Sequence, residues 1–259
     1  MLNDLPHDLL NVDLTSAEVT DAAYDFQHDG YESPRYVPKW LVRAVGVDCF
    51  AEVVVLRRQS PPQTDGELNS SQLNQLPMLQ ELSLVGSPLN DNDLALLQHR
   101  QLRVLNLAHS QVSGTGLRNA PFRQRLRTLH LEGCPVSDAG LSAIGTCDNI
   151  QEINLDVGII PPAGRSFTHT GLLQLTSLTR LRRLDLAGYD MTDDDLEIIA
   201  KLRSLQYLKL SSNNISERGV EALQTLPNLQ YLHFENDYYP TNVVGKALLT
   251  IVKEHETKQ

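Results

Sequence analysis

Cysteine is scarce in this chain of 259 residues, which has three, Cys49, Cys134 and Cys147, far apart in sequence. Zinc ligands come in close pairs and small disulfide scaffolds are cysteine-dense, so neither framework fits these spacings. Cys147 stands three residues before Ile150, at the offset where later segments have Leu178, Leu202 and Leu226. It reads as a small core residue, and Cys134 occupies an inward turn position. Aromatic residues make up 5% of the chain, with a single tryptophan, Trp40. A lone aromatic on an amphipathic cap reads as core before it reads as a ligand platform. Long apolar runs are missing too: none approaches the ~20 residues that span a bilayer. Residues 1–30 carry acids and prolines where a secretory signal needs a basic start and an apolar stretch. The expectation is a soluble chain without a membrane span, cytoplasmic by default. Positive charge is in deficit, with 22 Lys and Arg against 32 Asp and Glu, a net charge of -10. Nucleic acid is therefore not an expected partner, because phosphate contacts need a basic stripe.

What the chain has in abundance is a ladder: apolar, two variable, apolar, one variable, apolar. It runs Leu79-Leu82-Leu84, Leu102-Leu105-Leu107, Leu126-Leu129-Leu131, Ile150-Ile153-Leu155, Leu181-Leu184-Leu186, Leu205-Leu208-Leu210 and Leu229-Leu232-Phe234. The first members are 23, 24, 24, 31, 24 and 24 residues apart. A fixed period in this range predicts a solenoid, since each unit is too short to bury its own apolar face and must stack on its neighbours. Period two across the ladder predicts a strand with its apolar side inward. After each strand, pairs such as Leu94 and Leu97, Leu117 and Ala120, Leu141 and Ile144, and Val220 and Leu223 recur at helical spacing and predict short helices. Ser113, Ser137, Thr192 and Ser216 are the candidate N-caps.

These residues carry a resemblance. The ladder followed by Ser-Pro-Leu-Asn-Asp, Cys-Pro-Val-Ser-Asp-Ala-Gly-Leu and Asn-Asn-Ile-Ser-Glu resembles leucine-rich repeats over about three quarters of the chain. The segment Val136 to Leu141, with Tyr24 to Gln27 and Pro38 to Leu41 upstream, is similar to bacterial repeat proteins of the planctomycete type, which often begin with a hydrophobic anchor not seen here. The resemblance implies an α/β leucine-rich repeat solenoid, a right-handed horseshoe arc with a parallel concave sheet and short convex helices. It also implies partner recognition on the concave sheet and gives no enzymatic activity to carry over.

Residues 1–50 do not repeat and are expected to cap the solenoid, with an amphipathic helix over Pro38 to Val45 ended by Gly46. The solenoid is assigned to 51–242, its degenerate first strand to Phe50, Val53 and Val55, followed by an irregular linker from Gln59 to Gly66. Residues 243–259 are assigned to a closing helix and tail.

Alternation places three rows on the concave face. The first is Glu81, Val104, Thr128, Glu152, Arg183, Tyr207, Tyr231; the second Ser83, Asn106, His130, Asn154, Asp185, Lys209, His233; the third Val85, Ala108, Glu132, Asp156, Ala187, Ser211, Glu235. His130, Glu132, Asn154 and Asp156 form one cluster, whose facing carboxylates invite a cation, either a metal ion or a partner's Lys or Arg. The expectation is nevertheless no resident metal or cofactor. Arg183, Asp185, Tyr207, Lys209, Tyr231 and His233 form a second cluster, rich in the side chains that dominate binding hot spots. The spacing of 31 inserts residues around Gly158 to Phe167, and Glu235 to Pro240 is a second irregular turn at the equivalent place. Phe167 and Tyr238 in these loops therefore join the expected partner-binding set. The outward histidines lack a supported nucleophile beside them. The reading is a noncatalytic, monomeric scaffold for a protein or peptide, with glycan binding as the alternative and a metal-dependent hydrolase behind it.

Overall fold

The computed structural model describes residues 11–13, 55–58, 70–74, 76, 78–157, 167–211 and 215–235. Nine strands form one parallel sheet in chain order: β1 (Asn11–Asp13), β2 (Val55–Arg58), β3 (Glu81–Leu84), β4 (Val104–Asn106), β5 (Thr128–His130), β6 (Glu152–Asn154), β7 (Arg183–Leu186), β8 (Tyr207–Ser211) and β9 (Tyr231–Glu235). Between them stand α1 (Ser70–Leu73), α2 (Asp91–Leu96), α3 (Asp138–Ile144), α4 (His169–Gln174), α5 (Asp193–Ile199) and α6 (Glu217–Gln224).

The middle ladder residues pair in an unbroken line, Leu56 with Leu82, Leu105, Leu129, Ile153, Leu184, Leu208 and Leu232. Every ladder residue from Leu79 to Leu229 is buried, and a single cluster runs from Leu56 to Leu229. No unit has a core of its own, so the repeats are held by the apolar surface each presents to the next.

The N-terminal register differs from expectation. Leu56 opposite Leu82 makes Val53, Leu56 and Arg58 the ladder equivalents, three residues later than the Phe50, Val53 and Val55 reading. Arg58 in an apolar slot hides the true register. Asn11–Asp13, inside the segment read as nonrepetitive, pairs parallel to β2 with Val12 opposite Leu56. Val12 thus stands in line with the middle ladder residues, and in sequence Leu9, Val12 and Leu14 repeat the ladder spacing. The expected helices at 38–45 and 243–252, the linker at 59–66, and Trp40 and Cys49 lie outside the described residues.

The helices are docked by a second device. Asp91 accepts hydrogen bonds from the backbone and hydroxyl of Ser113, at 2.9 and 2.7 Å, and from the backbone of Gly116 at 2.8 Å. Asp138 holds Thr168 in the same way, and Asp193 holds Ser216. An acid at the start of one helix therefore satisfies orphan amides at the start of the next. Ser113 accordingly donates to its neighbour rather than capping its own helix. The segment after it, Thr115–Asn119, forms the expected short helix in 3-10 form. Ser137 and Ser216 do cap, accepting from Gly140 and Arg218.

The close approach requires glycine. A Cβ on Gly140 would lie 1.9 Å from the carbonyl oxygen of Ser113. Where α5 has Asp195 at the corresponding position, the preceding helix begins with His169 instead of aspartate, and His169 Nδ1 lies 2.6 Å from Asp195 Oδ1. Asp195 also accepts from the hydroxyl and backbone of Thr192.

Candidate functional site: the concave face of β5 to β9

The expected rows are in register. Glu152, Arg183, Tyr207 and Tyr231 are successive partners across β6 to β9, and Asn154, Asp185, Lys209 and His233 form the row beside them. In the first row the side chains meet. Tyr207 and Tyr231 stack with ring centroids 5.7 Å apart and planes 15° from parallel. The Arg183 guanidinium sits 4.6 Å over the Tyr207 ring, and its Nε is 3.7 Å from Glu152 Oε2. Glu152 is also 3.3 Å from His130 Nε2. The result is a continuous strip of His130, Glu152, Arg183, Tyr207 and Tyr231, in which each side chain restrains the next and Tyr231 remains 64% exposed. Such restraint lowers the ordering cost of binding, because the large side chains are already held.

A depression of about 380 Å³ lies along this strip, lined by Thr128, Glu152, Arg183, Tyr207, Tyr231 and, at the entry of the strands, Gln151, Arg182, Gln206 and Gln230. The glutamines were not singled out from sequence. Their signal is positional, for each immediately precedes a strand, one residue before the first concave row.

The second row plays another part. Lys209 Nζ is 3.0 Å from Asp156 Oδ2 and 3.7 Å from Asp185 Oδ2, with the three side chains 17%, 20% and 19% exposed. Asn154 and Asp185 each accept a backbone N–H two residues on, from Asp156 and Ala187, at 2.9 and 3.0 Å. Asp185 and Lys209 thus fasten the ends of strands and occupy each other. The expected confrontation of Glu132 with Asp156 is corrected here: Lys209 reaches Asp156 from two strands away, and Glu132 lies 3.6 Å from His109. Among the described residues no three His, Cys, Asp or Glu side chains converge as a metal site.

The third row is also plainer than expected, because Ala108 and Ala187 are buried, as is Ser83 in the second. The residue at this level is thus buried after β4 and β7, whereas Glu132 after β5 and Asp156 after β6 remain part-exposed. Phe167 is half-buried with its ring 4.2 Å from that of Tyr189 and packs on the core. His233 is exposed on β9. Tyr238 lies outside the described residues. Both described cysteines, Cys134 and Cys147, are buried, and desolvation raises the Cys147 thiol to about 12.

Two family models described as leucine-rich repeat match the sequence, at residues 124–145 and 174–238. The chain carries leucine-rich repeats. Its backbone is similar to the crystal structure of an internalin (inlF) from Listeria monocytogenes str. 4b F2365, with 24% identity and a TM-score of 0.50. The similarity covers 63% of this chain and 43% of that one, so the leucine-rich repeat chain spans less than half the internalin's length. No curated protein matches the sequence. Among the described residues no helix is long and apolar enough to cross a membrane.

Proposed function

We propose that this leucine-rich repeat protein is a noncatalytic recognition scaffold that binds a protein or peptide on the concave face of β5 to β9, centred on Arg183, Tyr207 and Tyr231. The observation that carries the reading is the stacked Arg183–Tyr207–Tyr231 strip bordering an open depression. Tyrosine and arginine bury large areas at low entropic cost and keep polar tips, which is why they dominate hot spots. Asp185 and Lys209, held in the ion cluster with Asp156, support the platform rather than supply contacts; His233 extends it on β9. The ion pairing of Asp156 and the position of Glu132 beside His109 support a binding role over the acid and base of a hydrolase.

Stacked tyrosines bordered by amides also suit a sugar, and that second reading is separable. Candidate proteins from a pulldown with mass spectrometry are purified and titrated against the wild type, with a glycan array run in parallel. Tyr207→Ala and Tyr231→Ala are each expected to weaken a protein partner by ~1–2 kcal/mol with an unchanged melting temperature, and Ser83→Ala to leave it intact. Unchanged affinity in both tyrosine variants removes this face as the site. Binding to glycans alone, lost in the same variants, selects the sugar reading.

A further inference from the structure

The chain carries a net charge of -10, yet one edge of its sheet is strongly basic. The segments entering five strands, His99–Arg103, Arg123–Arg127, Cys147–Gln151, Leu178–Arg182 and Leu202–Gln206, hold eight arginines against one carboxylate, Asp148. They are aligned by the main chain. The carbonyl of Arg103 accepts from the amides of Arg127 and Thr128, that of Arg127 from Gln151 and Glu152, that of Gln151 from Arg182 and Arg183, and that of Arg182 from Gln206 and Tyr207. Arg103, Arg127, Gln151, Arg182 and Gln206 are therefore consecutive members of one row, about 4.8 Å from strand to strand.

Some arginines on this edge have structural duties. Arg123 donates to the Arg118 carbonyl and Arg203 to the Thr225 carbonyl, contacts that suit cations near helix C-termini, and Arg180 donates to the Asn149 side chain. Arg103, Arg125, Arg127 and Arg182 have no side-chain hydrogen bond or ion pair among the described residues, and all four are exposed. Several acids elsewhere are already engaged: half-buried Asp193 and exposed Asp194 with Arg218, and half-buried Glu152 with His130 and Arg183. Unpaired like charges side by side repel, so a neutralising ligand relieves a cost already present in the free protein.

We infer that this edge receives an acidic segment of the protein partner, laid across the entries of β4 to β7 so that its carboxylates meet Arg103, Arg125, Arg127 and Arg182 while its neighbouring residues reach the Tyr207–Tyr231 strip. The inference rests on the proposed concave site and names the chemistry of its occupant. Continuity supports it, since Arg182 and Gln151 line the same depression as the two tyrosines. Guanidinium forks match carboxylates bidentately. The patch is short and the rest of the molecule acidic, so a few carboxylates in a peptide fit it better than the uniform, extended charge of a nucleic acid.

The test pans the full chain against a random phage-displayed dodecapeptide library and resynthesises the enriched peptides for titration. Enriched peptides are expected to be acidic, to bind more weakly as salt rises, and to lose at least about tenfold in affinity to Arg127→Glu/Arg182→Glu, a variant that touches no core residue and is checked by its melt. Substituting the peptide's acids by amides is expected to lose a similar factor on the wild type. Neutral or basic peptides, or acidic ones indifferent to the charge reversal, overturn the inference; if they are still lost on Tyr231→Ala, the concave reading survives. Failure of every peptide to enrich overturns the acidic-segment inference, and tighter binding of single-stranded DNA or phosphatidylserine vesicles than of any peptide does the same.

Discussion

Lys209 sits between Asp156 and Asp185, and its removal would leave two carboxylates facing each other at the end of the sheet. Lys209→Met is expected to cost ~1–3 kcal/mol in chemical denaturation, whereas Lys201→Met, on an exposed turn, is expected to cost nothing measurable. Residue-scale chemistry also fixes the fate of Cys147. With its thiol raised to about 12 by burial, it is expected to resist iodoacetamide in the native state and to be labelled once the chain is unfolded, as read by peptide mass mapping. His99 is buried with an unpartnered Nε2, and desolvation lowers its pKa from 6.5 despite backbone hydrogen bonds with Leu73 and Leu76. The unfolded chain binds its proton more readily, so the stability from the neutral ring is complete above pH 6.5 and is lost as pH falls through the lowered value. His99→Leu is expected to give a shallower loss of stability with acid than the wild type; an unchanged slope contradicts this. Alternation showed which face Lys209 occupies, but not that its long side chain would cross a strand to Asp156.

At the scale of elements, the acid-and-glycine spine binds each helix to the next. Gly140→Ala is expected to destabilise by at least ~1–3 kcal/mol, because its Cβ would collide with the Ser113 backbone, which cannot rotate away. The His169 and Asp195 exchange makes a sharper test. His169→Asp alone brings a second carboxylate against Asp195, and Asp195→Gly alone strips His169 of its partner, while the double substitution restores the arrangement seen at Asp138 and Gly171. The double variant is expected to be more stable than the sum of the single losses by ~0.5–2 kcal/mol in a thermodynamic cycle. Strands and helices were legible because their periods, two and 3.6, are written in leucines. The spine was not, because it joins residues 22–30 apart through side-chain oxygens, and the same Ser or Thr serves equally as a cap within its own helix. Arg58 in a ladder slot hid the register of β2, a degenerate repeat that keeps the backbone pattern after losing part of the apolar one, whereas Leu9, Val12 and Leu14 keep the apolar spacing but stand far from the periodic run.

Among the described residues one main core is bordered by two charged edges. Acids gather where helices begin, beside Asp91, Asp138 and Asp193, and arginines where strands begin, beside Arg103, Arg127 and Arg182. A solenoid without independent units transmits a central defect to both neighbours, so Leu129→Ala is expected to cost ~2–5 kcal/mol in a thermal or urea melt. The family and the concave rows were legible from the period alone. The strip from His130 to Tyr231 was legible only as a set of neighbours, since cation–π and stacking geometry depend on rotamers. The central claim is that recognition occupies the concave face of β5 to β9, and amide hydrogen exchange with and without the bound protein or peptide partner tests it most directly. The account predicts slowed exchange in the strands and strand entries from Arg127 to Glu235 with little change in α2 to α6; slowing confined to those helices, with the strands unaffected, would contradict it.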